Sequence, residues 1–282
     1  MIQGLYTGAS GMVAQMHRMD ALSNNLANVD TEGYKKDSAV FKSFPELLLR
    51  RMNDDGVGYF PGVGSVDQAP VVGKLGTGVE MNEFYTDFTQ GGLKQTDSDF
   101  DLALDGKGFF TIQTPEGVRY TRNGSFKIEK NGFLVTKEGN PVIGENGPIQ
   151  LKRNNFMVDD QGRIYQNAEY AADPDRMVSK EENEWRNTEL VDQLRIVDFD
   201  RTRYLQKQGD SMWRATNESG SGRVLQENRP AVKQGFLETS NVNPVSSMVQ
   251  MIEVNRAYEA SQKIIKSQDE TLGKLINSAA RM

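Results

Sequence analysis

The stretch SNNLANVDTEGYKK, residues 23–36, decides how this chain folds. It follows an amphipathic pattern that begins at the first residues, and it is rich in Asn, Asp, Thr, Gly and Lys. Asn side chains satisfy backbone groups that are freed where a helix ends, and they accept left-handed backbone geometry. Gly33 favours a turn that a residue with a Cβ atom resists. The stretch therefore predicts the end of an N-terminal helix.

The helix that precedes this stretch carries a heptad pattern over residues 2–29. Three glycines within it each lower helix stability by about 1 kcal/mol relative to Ala, so we expect this helix to need a partner. A spacing of alternating three and four residues is typical of a helix that packs along a narrow seam. The seam positions are Ile2, Ala9, Met16 and Ser23 in one set and Leu5, Met12, Met19 and Leu26 in the other.

A second long helix is predicted over residues 244–282, beginning at Pro244 after the candidate caps Asn241 and Asn243. Two heptad helices at opposite ends of one chain most simply pair with each other as a coiled coil, and the alternative is two ordinary core helices of a globular domain. The first heptad set is Met251, Tyr258, Ile265, Leu272 and Ala279, and the second, only partly apolar, is Val254, Ser261, Gln268, Leu275 and Met282.

The composition and the hydrophobic pattern of the middle of the chain differ from those of its two ends. Residues 52–78 are Gly-rich without periodicity, which indicates loop. From about 79 to 170, short β-like runs alternate with turn signals, including an Asn-Gly hairpin signal at 131–132. Residues 171–188 are polar and charged and predict an exposed excursion.

These patterns predict an α+β fold in three parts. Residues 1–36 and 241–282 form a discontinuous domain of paired terminal helices. Residues 37–78 and 203–240 form an irregular, Gly-rich linking layer. Residues 79–202 form a central all-β domain rich in hairpins.

Composition excludes several classes of function. The 282 residues contain no Cys, which removes disulfides, thiolate nucleophiles and Cys-based metal sites. A net charge of −6 without a clustered basic tract argues against a nucleic-acid partner. The N-terminus lacks the basic and apolar regions of a Sec-type signal, and no stretch approaches the roughly 18 apolar residues of a membrane span. We therefore expect a chain without a membrane span that leaves the cytoplasm, if it does, without a cleaved signal.

The residues offer little for catalysis. The single histidine, His17, lies off the seam, so a Ser-His-Asp site, a Cys-His site and a His-based metal site are disfavoured. Asp97, Asp99 and Asp101 have the spacing of an EF-hand loop, but that loop lacks its glycine and its last acid, and we interpret these acids as the polar face of a strand. We predict that the protein is not an enzyme and binds no metal and no cofactor.

The opening stretch resembles the N-terminal signature of the rod and hook axial proteins of the bacterial flagellum, which has the form N-N-L-A-N-x-x-T-x-G-F/Y-K. Residues 99–144 resemble the central β segment of that family, and residues 234–275 resemble its C-terminal signature. The residues that carry the N-terminal match are Asn24, Asn25, Leu26, Ala27, Asn28, Thr31, Gly33, Tyr34 and Lys35. Those that carry the C-terminal match are Ser240, Asn241, Val242, Asn243, Asn255, Arg256, Ala257, Tyr258 and Glu259.

This resemblance implies a structural subunit of the basal-body rod, exported unfolded by the flagellar type III apparatus and assembled helically in the periplasm into a shaft that transmits torque. Its partners would be further copies, other rod and hook subunits, the export apparatus and the surrounding ring proteins. The resemblance favours the proximal-rod type, with the distal-rod type as the alternative. A different class of function, also open, is a non-polymerising coiled-coil adaptor whose β domain binds a peptide or glycan.

The assembly residues predicted on this basis come from both ends of the chain. Asn24, Asn25 and Asn28 either bond to neighbouring subunits or serve a purely intrachain helix stop. The seam residues are Leu5, Met12, Met19, Leu26, Met251, Tyr258, Ile265, Leu272 and Leu275, together with Gly33 at the turn. Asn241, Asn243, Asn255, Arg256 and Tyr258 are predicted as signature residues.

Overall fold

A computed structural model describes residues 2–50, 58–60, 64–66, 71–152, 155–167, 188–226 and 229–279. The chain divides into two compact units. Unit 1 comprises residues 1–24, 37–85 and 245–282, and unit 2 comprises residues 25–36 and 86–244.

Two long helices and many short strands make up these units, so the predicted α+β class is confirmed. The helices are α1 (Ile2–Ala27) and α2 (Pro244–Ala279). The strands, in chain order, are β1 (Asp37–Ser43), β2 (Leu47–Arg50), β3 (Gly58–Phe60), β4 (Gly64–Val66), β5 (Val71–Leu75), β6 (Val79–Thr86), β7 (Leu93–Gln95), β8 (Leu102–Asp105), β9 (Phe109–Thr114), β10 (Gly117–Thr121), β11 (Phe126–Ile128), β12 (Leu134–Thr136), β13 (Met157–Val158), β14 (Arg163–Asn167), β15 (Thr188–Gln193), β16 (Ile196–Asp198), β17 (Gln206–Lys207), β18 (Met212–Arg214), β19 (Arg223–Val224), β20 (Ala231–Gln234) and β21 (Phe236–Glu238).

Unit 1 contains most of both helices and three two-stranded ribbons, β1–β6, β2–β5 and β3–β4. The turn between β5 and β6 touches α1, where the Thr7 hydroxyl donates to the Thr77 carbonyl at 3.1 Å and the Val79 N–H donates to the Ser10 hydroxyl at 3.3 Å. Isolated two-stranded ribbons are marginally stable in water, so the strands of this unit do not by themselves provide a core.

Unit 2 is built around a six-stranded antiparallel sheet in the order β17-β18-β10-β9-β16-β19. Unit 2 contains three hairpins, as the turn signals in the sequence predict: β9–β10 lies within this sheet, β11–β12 forms a separate two-stranded sheet, and β13–β14 belongs to a three-stranded sheet with β15. Gly132 and Gly162, in the last two of these turns, have φ of 83° and 71°, which is the left-handed region that glycine enters at little cost.

Two apolar clusters form the core of unit 2. The larger gathers side chains from many strands, among them Leu104, Ile112 and Ile164, all almost completely buried. The smaller is aromatic: Phe109 contacts the fully buried Trp213, with ring centroids 5.7 Å apart.

Some expectations for the middle of the chain need correction or remain open. Strand β8 begins only at Leu102, so Asp97, Asp99 and Asp101 precede it and do not form its polar face; Ala103 is buried as fully as its neighbours. The loop predicted at 52–78 lies mostly outside the described residues, and so does the excursion at 171–188. Strands within residues 203–240 pair with strands of the central region, and the separate linking layer stays a prediction.

Candidate assembly site

The inner face of α2 follows the heptad predicted from the sequence. Met251, Tyr258, Ile265 and Leu272 are half-buried, and Val254, from the second heptad set, is almost fully buried. By contrast, Leu275 is 49% exposed, and the signature residues Asn243, Asn255 and Arg256 are exposed as well.

A row of glycines on α1 lies against this face. A Cβ atom added at Gly4 would stand 2.6 Å from the amide nitrogen of Gln268, and one at Gly8 would stand 3.0 Å from Ile265. One at Gly11 would stand 3.9 Å from the Ser261 hydroxyl. The residue numbers of these contacts rise along α1 while those of their partners fall along α2. The two helices therefore run antiparallel where they meet.

The two predicted sets of seam positions on α1 differ in burial. Leu5, Met12, Met19 and Leu26 are half-buried, and Leu5 lines a shallow pocket together with Ile265. The other set is exposed at Ala9, Met16 and Ser23. The intrachain contact of α1 therefore uses its glycines, and a second apolar stripe on the same helix faces outward. Whether the helices pair as a coiled coil stays a prediction.

The signature segment, residues 25–36, belongs to unit 2. Gly33 has φ of 66°, and a Cβ atom there would lie 2.5 to 2.8 Å from the backbone of Arg122 and Asn123. Its N–H donates to the Glu238 carbonyl at 2.8 Å. The segment thus fits against unit 2 so closely that only glycine can occupy position 33.

Asparagines of the signature bond within the chain. The Tyr34 hydroxyl donates to the side-chain oxygen of Asn25 at 3.0 Å, and both residues are buried. The Thr31 hydroxyl donates to the side-chain oxygen of Asn28 at 3.2 Å. Asn25 and Asn28 therefore hold the helix stop, while Asn24 lies exposed on α1.

A buried cluster of charges anchors the end of the segment. The Lys35 ammonium donates to Glu238 at 2.5 Å, and both side chains are fully buried. The Arg122 guanidinium donates to the other carboxylate oxygen of Glu238 at 3.3 Å. Burial lowers the pKa of Lys35, and the neighbouring Glu238 opposes that shift. Each charge needs its partner, because an unpaired buried charge costs several kcal/mol.

Asn241 ties three segments of the chain together inside unit 2. Its side-chain oxygen accepts from the Lys36 N–H at 2.8 Å, and its side-chain amide donates to the Asp87 carbonyl at 2.8 Å. The Asp87 N–H in turn donates to the Lys36 carbonyl at 3.0 Å. This gives the signature residue Asn241 a structural role that is distinct from capping α2.

Apolar exposure differs sharply between the two units. Among the residues whose side chains the structure describes, all but four of the exposed large apolar side chains belong to unit 1, the exceptions being Val118, Met157, Leu190 and Tyr204. Conversely, within the described part of unit 1 the buried apolar side chains are only Ala14, Ala21, Leu22 and Val254. Unit 2 thus has a closed core, whereas unit 1 presents its apolar residues to the outside.

Sequence reasoning missed the partners Glu238 and Arg122 and the packing role of the three α1 glycines. The glycine spacing of four and three residues was a usable signal, since small residues at such intervals let two helices approach closely. Nothing in the sequence marks Glu238 as the partner of Lys35, because the two lie 203 positions apart.

Two further observations bear on the kind of site. Over the described parts of the chain, no cluster of three or more His, Cys, Asp or Glu side chains is placed to hold a metal ion. Neither α1 nor α2, as far as each is described, is long and apolar enough to cross a membrane.

Comparison with known proteins gives three regions of family similarity. Residues 5–35 match the family described as "Flagella basal body rod protein". Residues 103–166 match "Flagellar hook protein FlgE/F/G D1 domain", and residues 233–278 match "Flagellar basal body rod FlgEFG protein C-terminal". The first and last of these regions coincide with the two ends of the chain that carry the candidate assembly residues.

Curated relatives are similar over nearly their whole length. The chain is 35% identical over 283 residues to the flagellar basal-body rod protein FlgG of Buchnera aphidicola subsp. Acyrthosiphon pisum, covering 98% of this chain and 99% of that protein. It is 30% identical to the flagellar hook-basal body complex protein FlhO of Bacillus subtilis, covering 100% of both chains. It is also 30% identical to the flagellar basal-body rod protein FlgF of Caulobacter vibrioides, covering 98% of this chain and 100% of that protein.

Proposed function

The chain belongs to the family of flagellar basal-body rod proteins, which are structural and not enzymatic, and on that premise we propose that its terminal helices complete their packing only against neighbouring copies in the rod. Subunits joined head to tail in this way form an open helical assembly. Such an assembly acts as a shaft that transmits torque.

The contrast in apolar exposure between the two units carries this proposal. A folded monomer that keeps most of its large exposed apolar side chains in one unit has a surface suited to burial against other subunits. Each Val, Leu, Ile or Met side chain that becomes fully buried contributes about 1.5 to 3 kcal/mol. Assembly is therefore the event that stabilises unit 1.

In this proposal, neighbouring copies contact each other through two stripes of exposed apolar side chains, one on α1 and one on α2. On α1, Tyr6 is 71% exposed, and Val13 and Met16 are each 50% exposed. On the first turns of α2, four exposed apolar residues stand at the i, i+3, i+4 and i+7 positions by which a helix engages a groove. They are Val245, Met248, Val249 and Ile252.

The place of the protein in the rod is the finer part of the proposal. The opening residues resemble the proximal-rod type, FlgF, whereas the higher identity to FlgG of Buchnera aphidicola supports the distal-rod alternative. We infer export through the flagellar type III apparatus and assembly in the periplasm for either type. Localising the protein within purified basal bodies decides between the two positions.

Sedimentation at rising protein concentration, with a matched pair of variants, tests the assembly proposal. Val13→Asp places a charge on the exposed stripe of α1, and Leu190→Asp places one on unit 2 at a position of similar exposure, 54%. We expect the wild type and Leu190→Asp to form long assemblies and Val13→Asp to remain monomeric. A stable stoichiometric complex without polymer would instead favour the adaptor function.

Hydrogen exchange on the monomer fraction of the same samples tests coupled folding. Amides of residues 2–24, the part of α1 that belongs to unit 1, are expected to exchange rapidly in the monomer and slowly in the assembly. Strong protection of these amides in a proven monomer would contradict the proposal.

A further inference from the structure

Three methionines are among the exposed large apolar side chains of the described residues: Met16 at 50%, Met248 at 51% and Met157 at 40%. Met16 belongs to the exposed stripe of α1, and Met248 belongs to the exposed stripe of α2. Met157 lies in unit 2, away from both stripes. Each of the two surfaces proposed to join neighbouring copies therefore contains one exposed methionine.

The methionine sulfur is the group in these stripes that a hydroperoxide can change. The chain contains no Cys, so a hydroperoxide meets no thiol and reacts with thioethers. The sulfur lone pair attacks one oxygen of hydrogen peroxide, the S–O bond forms, and the O–O bond breaks. The other oxygen leaves as hydroxide and takes the proton from the sulfur-bound oxygen to become water. The thioether is thereby oxidised to the sulfoxide, and the peroxide is reduced.

A sulfoxide places a hydrogen-bond acceptor inside an apolar stripe, because it converts a flexible apolar side chain into a polar one. On α1, the exposed Val13 precedes Met16 by one helical turn. On α2, the exposed Val245 and Ile252 lie one turn before and one turn after Met248. These aliphatic neighbours offer no donor to the new oxygen. Burying a polar group without a partner is unfavourable, so the oxidised stripe resists burial against another copy.

We propose that oxidation of Met16 and Met248 by a hydroperoxide blocks the association of copies and that reduction by a methionine sulfoxide reductase restores it. This inference rests on the proposed function, since it requires that the stripes be buried against neighbouring copies. The switch acts on the free subunit, because both stripes are covered once the copies have assembled. Met157 is oxidised as well, but its oxidation leaves assembly unaffected because it lies outside the stripes.

Hydrogen peroxide treatment of the full-length monomer, followed by tandem mass spectrometry and sedimentation, tests this proposal. We expect Met16, Met248 and Met157 to be oxidised before Met212, which packs against the core of unit 2. Once the first two are converted, the critical concentration above which long assemblies form is expected to rise about tenfold or more, because buried apolar area is lost. Treatment with the reductase and dithiothreitol is expected to restore the starting value, since the reductase acts only on sulfoxides.

A double variant, Met16→Leu with Met248→Leu, removes both sulfur atoms at similar side-chain volume. The ratio of its critical concentrations after and before peroxide is expected to stay below about two. Met157→Leu is the matched control and is expected to show the same rise as the wild type. A tenfold rise in the double variant, or no rise in a wild type with both methionines converted, would overturn the proposal. An untreated wild type that does not assemble would contradict the proposed function, and this inference with it.

Discussion

At the scale of single residues, the packing of the signature segment depends on Gly33 and Lys35, whose surroundings do not accommodate another side chain. Gly33 needs both a left-handed backbone and the absence of a Cβ atom. Lys35 needs Glu238, because in the interior of unit 2 either charge alone would be costly. The signature is therefore a folding element of unit 2 at these two positions, whatever else it contacts in an assembled rod.

Gly33→Ala is expected to destabilise the protein by about 3 kcal/mol, since the methyl group meets the backbone of Arg122 and Asn123 in addition to straining its own backbone. Gly220→Ala is the matched control, because Gly220 has a similar φ of 79° but nothing within 4 Å of its added Cβ atom. The control is expected to lose only about 1 kcal/mol. Urea unfolding of both variants, followed by tryptophan fluorescence, measures the difference, and equal losses would mean that the signature segment is not packed as described.

At the scale of elements, each terminal helix presents more than one face. The inner face of α2 carries the predicted heptad, and α1 meets it through glycines whose helix-breaking cost is offset by close packing. The apolar stripe through Val13 and Met16 remains on the outside of the same helix. One helix thus makes an intrachain contact and leaves a second apolar surface exposed.

Two substitutions in α1 distinguish the effect of packing against α2 from the effect of helix propensity on hydrogen exchange. Ala and Leu have similar propensities, and each exceeds Gly by roughly 0.8 to 1 kcal/mol. Gly11→Ala fits beside Ser261 and is expected to slow hydrogen exchange in α1 about three- to fivefold. Gly8→Leu collides with Ile265 and is expected to speed exchange in spite of its propensity. Equal slowing by both variants would show that α1 does not pack on α2 in the free chain.

At the scale of the whole molecule, one chain contains a unit with a closed core and a unit without one. The charged cluster and the Asn241 bonds lie in unit 2, whereas most of both terminal helices belongs to unit 1. Most of the exposed apolar residues are confined to unit 1, which is the arrangement expected of a subunit that finishes folding by assembling.

A shortened chain tests the independence of unit 2. In this engineered chain, residues 25–36 would be joined directly to residues 86–244 by a linker of about three Gly or Ser residues, a length sufficient for a hairpin turn. The 3.0 Å bond between the Asp87 N–H and the Lys36 carbonyl shows that the two ends are adjacent. This chain is expected to unfold in one cooperative transition in urea.

Residues 86–244 alone are the control for that experiment. They lack Lys35 and leave the buried Glu238 with only Arg122, so we expect a loss of at least about 3 kcal/mol. Equal stability of the two chains would show that the signature segment is not part of unit 2.

The sequence alone determined the two terminal helices, the hairpins and the family, because helix periodicity, turn residues and signature strings are local patterns. It also predicted the left-handed turn at Gly33. Only the tertiary structure decided that Lys35 pairs with Glu238, that glycines and not Met16 face α2, and that the apolar residues of unit 1 stay exposed. The physical reason is that burial and charge pairing depend on groups far apart in the chain, which no local pattern records.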